Sequence, residues 1–256
     1  MGVVNVTPDS FSDGGRFLDP AAAIAHARKL MQEGADLIDL GAESSRPGAE
    51  AVVSADEELR RLLPVLRELR DLPISVDTVK AEVMRVTLAE GAAMINDINA
   101  LRAPGALAAV AQSDAAVCMM HMQGSPGTMQ RNPSYGDVVA EVRAFLHERI
   151  AGAVGAGIPM ERIVADPGFG FGKTLEHNLE LLRDLGKFAE LGVAILAGWS
   201  RKSSLGLITG RSADDRLAAS VAAALIAAQN GAAILRVHDV AATRDALLVL
   251  EAVRKA

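Results

Sequence analysis

The sequence predicts a closed (β/α)8 barrel of the TIM type, a single α/β domain over residues 1–256 with its active site at the C-terminal ends of the strands. Three observations predict it. Short apolar runs alternate strictly with longer amphipathic ones, which implies a parallel sheet covered by helices. Eight such units in ~250 residues favour a closed barrel over an open doubly wound sheet. Every apolar run ends in polar or charged residues, and in β/α barrels that end of the sheet carries the chemistry.

The first strand is read as Gly2–Val6, directly after Met1, an abrupt start that points to further sequence upstream. A helix over Pro20–Glu33 follows, with Asp19 as N-cap and Pro20 at the first helical position. Then come strand Asp36–Gly41 and helix Ala55–Arg70, whose Ser54-Ala55-Asp56-Glu57 start reads as a capping box. Strand Ile74–Asp77 and helix Lys80–Glu90 precede strand Met94–Ile98 and helix Gly105–Gln112. Strand Ala116–His121 leads to the long helix Gly136–Val154, and strand Ile163–Asp166 to helix Leu175–Phe188. The last two units are Ala194–Ala197 with Asp214–Gln229, and Ile234–His238 with Ala241–Arg254. The triplets Glu33-Gly34-Ala35, Glu90-Gly91-Ala92 and Asn230-Gly231-Ala232 each stand just before a strand, as repeated helix-to-strand turns of one architecture.

Composition narrows the function. Half the residues are apolar but only 3% are aromatic, so aliphatic side chains and Ala must fill the core. The net charge is −6 and no long Lys/Arg run interrupts it, which argues for small-molecule substrates and against nucleic-acid or membrane-surface partners. No apolar stretch approaches the ~20 residues of a membrane span. The one cysteine, Cys118, sits in an apolar run and cannot form an internal disulfide, as fits a reducing, cytoplasmic setting.

The strand ends supply a chemical inventory. Asp77, Asn96 and Asp166 suit the edge of a polar heterocycle, because a carboxylate accepts two N–H bonds side by side. Lys202, Arg236, Arg46 and His238 suit phosphates. Asn5 with Asp9 or Asp13 offers oxygen ligands to Mg²⁺, which keeps several waters and binds along with substrate phosphates. The predicted ligand is therefore a heterocycle carrying a phosphate group.

Plainer readings compete at single positions. A lone Asp or Asn after a strand is usually a turn residue, and only eight in phase argue for a mouth. Gly168-Phe169-Gly170-Phe171-Gly172-Lys173-Thr174 invites a phosphate-loop reading, but that pattern needs glycine where Pro167 stands. Its glycines instead allow a tight turn beside a ligand, with Phe171 as a stacking surface. His121 has no second histidine at metal-site spacing, so it reads as structural, and His26, His147 and His177 read as solvent-facing. Trp199 fits either the pocket lining or its rim.

With these residues in place the chain resembles the dihydropteroate synthases, a pterin-binding family. Asn5-Val6-Thr7-Pro8-Asp9-Ser10-Phe11-Ser12-Asp13-Gly14-Gly15 resembles the family's first signature and Glu43-Ser44-Ser45-Arg46-Pro47-Gly48 its second. The segments Ser75–Thr78, Ile95–Ile98, Met120–Gly124, Asp166–Lys173, Ser200–Ser203 and Arg236–Asp239 match later ones in order. The resemblance implies condensation of 6-hydroxymethyl-7,8-dihydropterin pyrophosphate with p-aminobenzoate, giving 7,8-dihydropteroate and pyrophosphate. It implies a pterin site at Asp77, Asn96, Met120, Asp166, Phe171 and Lys202, and a pyrophosphate and Mg²⁺ region at Asn5, Arg236 and His238. Aminobenzoate falls to Ser45, Arg46, Pro47 and Ser203. Asp77, Lys202 and Asp13, the last on a closing first loop, are the implied catalytic residues. A homodimer and affinity for sulfonamide-type analogues are implied as well. Ser45 stands where the family commonly has Thr, and Trp199 where a smaller residue is usual. Two alternatives share the pterin residues: a methyltransferase acting with a corrinoid protein, which needs no pyrophosphate site, and a non-catalytic pterin-binding paralogue.

Overall fold

A computed structural model describes residues 1–6, 20–43 and 53–256. Eight parallel strands run in sequence order around one sheet: β1 Gly2–Asn5, β2 Ile38–Gly41, β3 Ile74–Asp77, β4 Met94–Asp97, β5 Ala116–Met120, β6 Ile163–Asp166, β7 Ala194–Ala197 and β8 Ile234–Leu235. The circle closes where the Val237 N–H donates to the Met1 carbonyl (2.9 Å) and the Val3 N–H to the Val237 carbonyl (3.1 Å). Helices α1 Pro20–Gln32, α2 Ala55–Glu68, α3 Ala81–Ala89, α4 Ala106–Ala111, α5 Val138–Gly155 and α6 Leu175–Arg183 alternate with the strands. They are followed by α7 Ser203–Thr209, α8 Leu217–Gln229 and α9 Val240–Lys255. The barrel fold is as the sequence predicts.

Local differences have local reasons. Four strands are shorter than read, at Gly2–Asn5, Ile38–Gly41, Met94–Asp97 and Ala116–Met120, and the eighth keeps only Ile234–Leu235. The run read as helix Leu175–Phe188 breaks after Arg183 and tightens into a 3₁₀ segment, Leu185–Leu191, which Gly192 ends with a φ of 71°. Helix α8 starts at Leu217, not Asp214, because Ala213–Asp215 forms a separate 3₁₀ turn. Helix α7 was not foreseen, since seven residues carry too little periodicity to read. Ser54 caps α2 by accepting the Glu57 N–H, but the Glu57 carboxylate turns to Arg60 and Arg61 instead of completing the box. The reciprocal box occurs at Thr174, whose partner is His177; that histidine is half-buried in a cap and not solvent-facing. The N-cap expected at Asp19 lies outside the described residues.

The three repeated triplets do form one turn. Gly34, Gly91 and Gly231 have φ of 97°, 99° and 99°. In each, the following alanine N–H reaches back to a carbonyl five residues earlier: Ala35 to Leu30, Ala92 to Thr87, Ala232 to Ala227. A left-handed residue satisfies the last carbonyls of the helix and turns the chain into the next strand.

The sheet separates two cores. Outward-facing Ile38, Leu40, Val76, Ile95, Val117 and Ile195 pack under the helices. Inside the barrel Met1, Met94, Cys118, Val164 and Leu196 form an apolar plug with Leu37, Ala116 and Ile234. Side chains two residues further along a strand share its face. The residues that follow this plug toward the C-terminal end are Asp39, Asn96, Met120, Asp166 and Arg236. The barrel is thus dry at its floor and polar at its mouth.

Candidate active site

The floor of the mouth is one hydrogen-bonded network. Asp39, fully buried, accepts from Ser75 Oγ (2.6 Å), Asn96 Nδ2 (3.0 Å) and Arg236 Nε (2.7 Å). Arg236 Nη2 reaches Asp77 Oδ2 at 3.3 Å. Two carboxylates thus share one guanidinium. Burial first, and Asp39 second, push the Asp77 carboxyl up to about 7, against the pull of Arg236. Burial works against the charge on Arg236, but Asp39 and Asp77 outweigh it and hold its pKa above the usual value. Gly41 borders the same rim: a Cβ there would stand 3.6 Å from Asn5 Oδ1 and 3.8 Å from Asp77 Oδ2, in ordinary contact with both.

The opposite wall comes from β5, β6 and β7. Asp166 accepts the Gly168 N–H (2.7 Å), and burial raises its pKa while Lys202 opposes the rise. Lys202 donates from Nζ to the Phe169 carbonyl and stands 4.7 Å from the centre of the Phe171 ring. Its pKa is lowered to about 8, chiefly by burial. Phe171 also borders an apolar cluster of Ile98, Met120, Met122 and Met129. The loop that carries it lies unusually close to β5. A Cβ on Gly168 (φ 72°) would meet the His121 carbonyl oxygen at 1.9 Å, and one on Gly172 the Gln123 oxygen at 2.4 Å. Only glycine admits that approach. Trp199 is buried, packed on Phe169 with ring centres 5.3 Å apart, and its Nε1 has no hydrogen-bond partner.

Between the two walls runs the loop after β7. Ser200 Oγ binds the His238 backbone N–H (3.1 Å) and ring Nδ1 (3.0 Å). Arg201 takes a left-handed φ of 58°, held by Ser220 at its N–H, Arg216 at its carbonyl and Asp239 at its side chain. That clamp sets the direction of Lys202. Ser203 opens α7 with an exposed side chain. At the ends of β2 and β3, Lys80 bridges Glu43 and the buried Glu58.

The structure therefore gathers Asn5, Asp77, Asn96, Asp166, Lys202, Arg236 and His238 at strand ends around one mouth, with Met120 and Phe171 as its apolar side. Asp13, Ser45, Arg46 and Pro47 lie outside the described residues. Asp97, beside Asn96, points the other way and caps a turn through the Asn99 and Leu101 N–H groups (2.7 Å each). Sequence reading missed Asp39, the hub of the network. Its only signal was a charge inside a strand that otherwise reads as wholly buried. The assembled mouth pairs a row of carboxylate and amide groups with a flat apolar wall and the half-buried cations Lys202 and Arg236. It can hold a polar planar ring by its edge and faces, and an anion beside it.

Known proteins share this sequence and fold. The family profile for pterin binding enzymes matches residues 1–238. A dihydropteroate synthase of Haemophilus influenzae is 49% identical over 259 residues, covering 100% of this chain and 94% of the relative. A Xanthomonas albilineans dihydropteroate synthase solved with 4-aminobenzoic acid is 57% identical with a TM-score of 0.93, covering 100% of this chain and 92% of that one. A structure from the same organism in complex with 7,8-dihydropteroate gives 54% identity and a TM-score of 0.90, with coverage of 100% and 93%. The chain belongs to the pterin-binding enzymes and, within them, to the dihydropteroate synthase family.

Proposed function

We propose that this chain condenses 6-hydroxymethyl-7,8-dihydropterin pyrophosphate with p-aminobenzoate, releasing 7,8-dihydropteroate and pyrophosphate. The observation that carries the reading is the mouth itself: the family's strand-end residues meet there around the Asp39–Arg236–Asp77 network.

In this reading Asp77, Asn96 and Asp166 hold the edge of the pterin, while Met120 and Phe171 cover its faces. The bond from the pterin methylene to the pyrophosphate oxygen breaks, and the oxygen keeps the electron pair. Positive charge then spreads over the pterin. Asp77 meets it as a carboxylate: burial destabilises that anion and raises its pKa to about 7, so positive charge developing beside it draws out the ionised form. Arg236 and His238 meet the leaving pyrophosphate. The neutral amine of p-aminobenzoate attacks the methylene and passes one proton to the departing pyrophosphate or to water as the C–N bond forms. Lys202, fixed by the Phe169 carbonyl and the Phe171 ring, lies beside the ring. The family resemblance assigns the aminobenzoate to Ser45, Arg46, Pro47 and Ser203, and a catalytic role to Asp13.

Mg²⁺ fits the donor set as a cofactor. Among the described residues no cluster of three or more His, Cys, Asp or Glu could hold an ion. Mg²⁺ needs none, since it takes one or two protein oxygens together with water and substrate phosphates. Asn5 Oδ1 at the rim would be such an oxygen, and the ion would neutralise charge on the leaving group.

A homodimer is supported by the outer surface. Of the large apolar side chains exposed among the described residues, Leu207, Ile208, Leu217, Ile226, Leu248, Val249 and Val253 all lie on the neighbouring helices α7, α8 and α9. No described helix is long and apolar enough to cross a membrane. A cytoplasmic setting fits the single buried thiol.

The direct test is pyrophosphate release by purified protein with Mg²⁺ and both substrates, with product identified by mass. Competition by sulfonamide analogues of p-aminobenzoate is expected in the same assay. No release with both substrates present sinks the reading.

A further inference from the structure

Lys173 closes the glycine-rich run after β6 and is only 3% exposed, yet no carboxylate is among its hydrogen-bond partners. Its Nζ faces the Phe171 carbonyl (3.0 Å), His121 Nδ1 (3.0 Å) and, more distantly, the His121 carbonyl (3.4 Å). Burial lowers the Lys173 pKa to about 7 while Asp166 opposes the fall, and in the ammonium form its three donors meet these three acceptors. They belong to two different segments, the end of β5 and the loop after β6.

The histidine is suited to its part. Burial first, and Lys173 second, push the His121 ring down to about 3, so it is neutral. The nitrogen facing the ammonium is then the acceptor, and the proton sits on Nε2. Phe145 packs against the ring at 4.9 Å and 90°. Tyr135 completes the junction by donating its hydroxyl to the Gly172 carbonyl (2.8 Å).

A lysine buried among neutral acceptors is a poor choice for packing alone, because a methionine of similar length would avoid the desolvation of the charge. Placement gives it a task. Phe171 lies two residues before it, and the Phe171 ring borders both Lys202 and the Met120 cluster. We infer that Lys173 is a positioning residue for the pterin wall: its ammonium fastens the Phe169–Gly172 segment to the end of β5 and thereby fixes Phe171 against Lys202. Lys173 itself touches no substrate. Its effect is exerted through the face that the heterocycle rests on.

The inference rests on the synthase reading, and wild-type turnover in the same assay separates the two. Without wild-type turnover the synthase reading fails. With it, Lys173→Met decides. The variant is expected to raise the KM for the pterin pyrophosphate about tenfold, ~1.4 kcal/mol, while kcat changes less than about threefold. A folded Lys173→Met protein with wild-type KM overturns the inference. So does a fall in kcat at unchanged KM, which would place Lys173 in the chemical step. If Lys173→Met does not fold, His121→Phe keeps a ring against Phe145 but deletes one acceptor. It should raise the same KM about threefold, a smaller share of the same effect. An unchanged KM there overturns the inference as well.

Discussion

Asp39 Oδ2 and Arg236 Nε meet at 2.7 Å on the floor of the barrel mouth, although 197 residues separate them in the chain. Asp39 also accepts from Ser75 and Asn96, so one buried carboxylate orients three side chains of the site. Asp39→Asn keeps an acceptor for Ser75 but leaves Arg236 facing an amide. Breaking one side of a buried ion pair costs about 3–5 kcal/mol, and the low end is expected here because Asp77 still reaches Arg236. Urea unfolding should show that loss. The KM for the pyrophosphate substrate should rise about tenfold as the guanidinium loses its direction. Wild-type values in both measurements would show that the network neither stabilises the barrel nor orients Arg236.

Asp77 couples stability and activity in opposite directions. Its carboxyl is raised to about 7 in the folded chain, first by burial, against about 3.9 in an unfolded one. The neutral form therefore favours the fold. That contribution is complete below about pH 4 and is lost as pH rises through about 7. Asp77→Asn does not titrate. Its melting temperature relative to wild type should climb between pH 5 and pH 8. Turnover should fall about a hundredfold, since a carboxylate facing the developing cation is gone. A stability difference that is flat with pH would mean that Asp77 is not held up by burial.

Much of this was legible in the sequence, for reasons that differ by residue. The alternation of Ile38 and Leu40 with Leu37 and Asp39 is the two-residue period of a strand, but the eye takes the apolar members and files the aspartate as an interruption. Only pairing across β1 and β2, with Arg236 arriving from β8, shows that the same face carries Leu37 below and Asp39 above. Asn96 and Asp97 illustrate the converse. Both stand at a strand end, and the sequence reading assigned only Asn96 to the mouth; the pleat sends Asn96 to the network and Asp97 to a turn. Lys173 was visible as the end of a glycine run, but its partner His121 lies 52 residues away, just past the end of β5. Helix α7 escaped because its seven residues follow the clamped Arg201 without a periodic stretch of their own.

The glycine run makes a sharper stability prediction. Gly168→Ala places a methyl at 1.9 Å from the His121 oxygen, at a φ of 72° that alanine resists. Backbone must move, and the β5 and β6 strand ends are what would have to give. A loss of several kcal/mol is expected, on the order of the larger single-site effects. Gly127→Ala is the control. Nothing lies within 4 Å of its added methyl and its backbone is not left-handed. Its melting temperature should stay within about 1–2 °C of wild type. Equal melting of the two variants would remove close approach as the reason for glycine at 168.

The outer face of α7, α8 and α9 sets the last expectation. Leu207, Val249 and Val253 are 71%, 66% and 70% exposed, a poor arrangement for a surface that stays in water. A second copy of the chain would cover them through an isologous contact, in which the same helices meet across a two-fold axis. Light scattering of the wild-type protein should then return twice the 26.7 kDa of one chain. The double substitution Val249→Glu, Val253→Glu should return a single chain. Its strands and site lie elsewhere, so turnover per chain should persist unless the dimer itself is needed. Because both valines are exposed in the single chain, neither change creates a cavity, and any loss of melting temperature measures the contact between copies. A wild-type mass of one chain would refute the dimer outright.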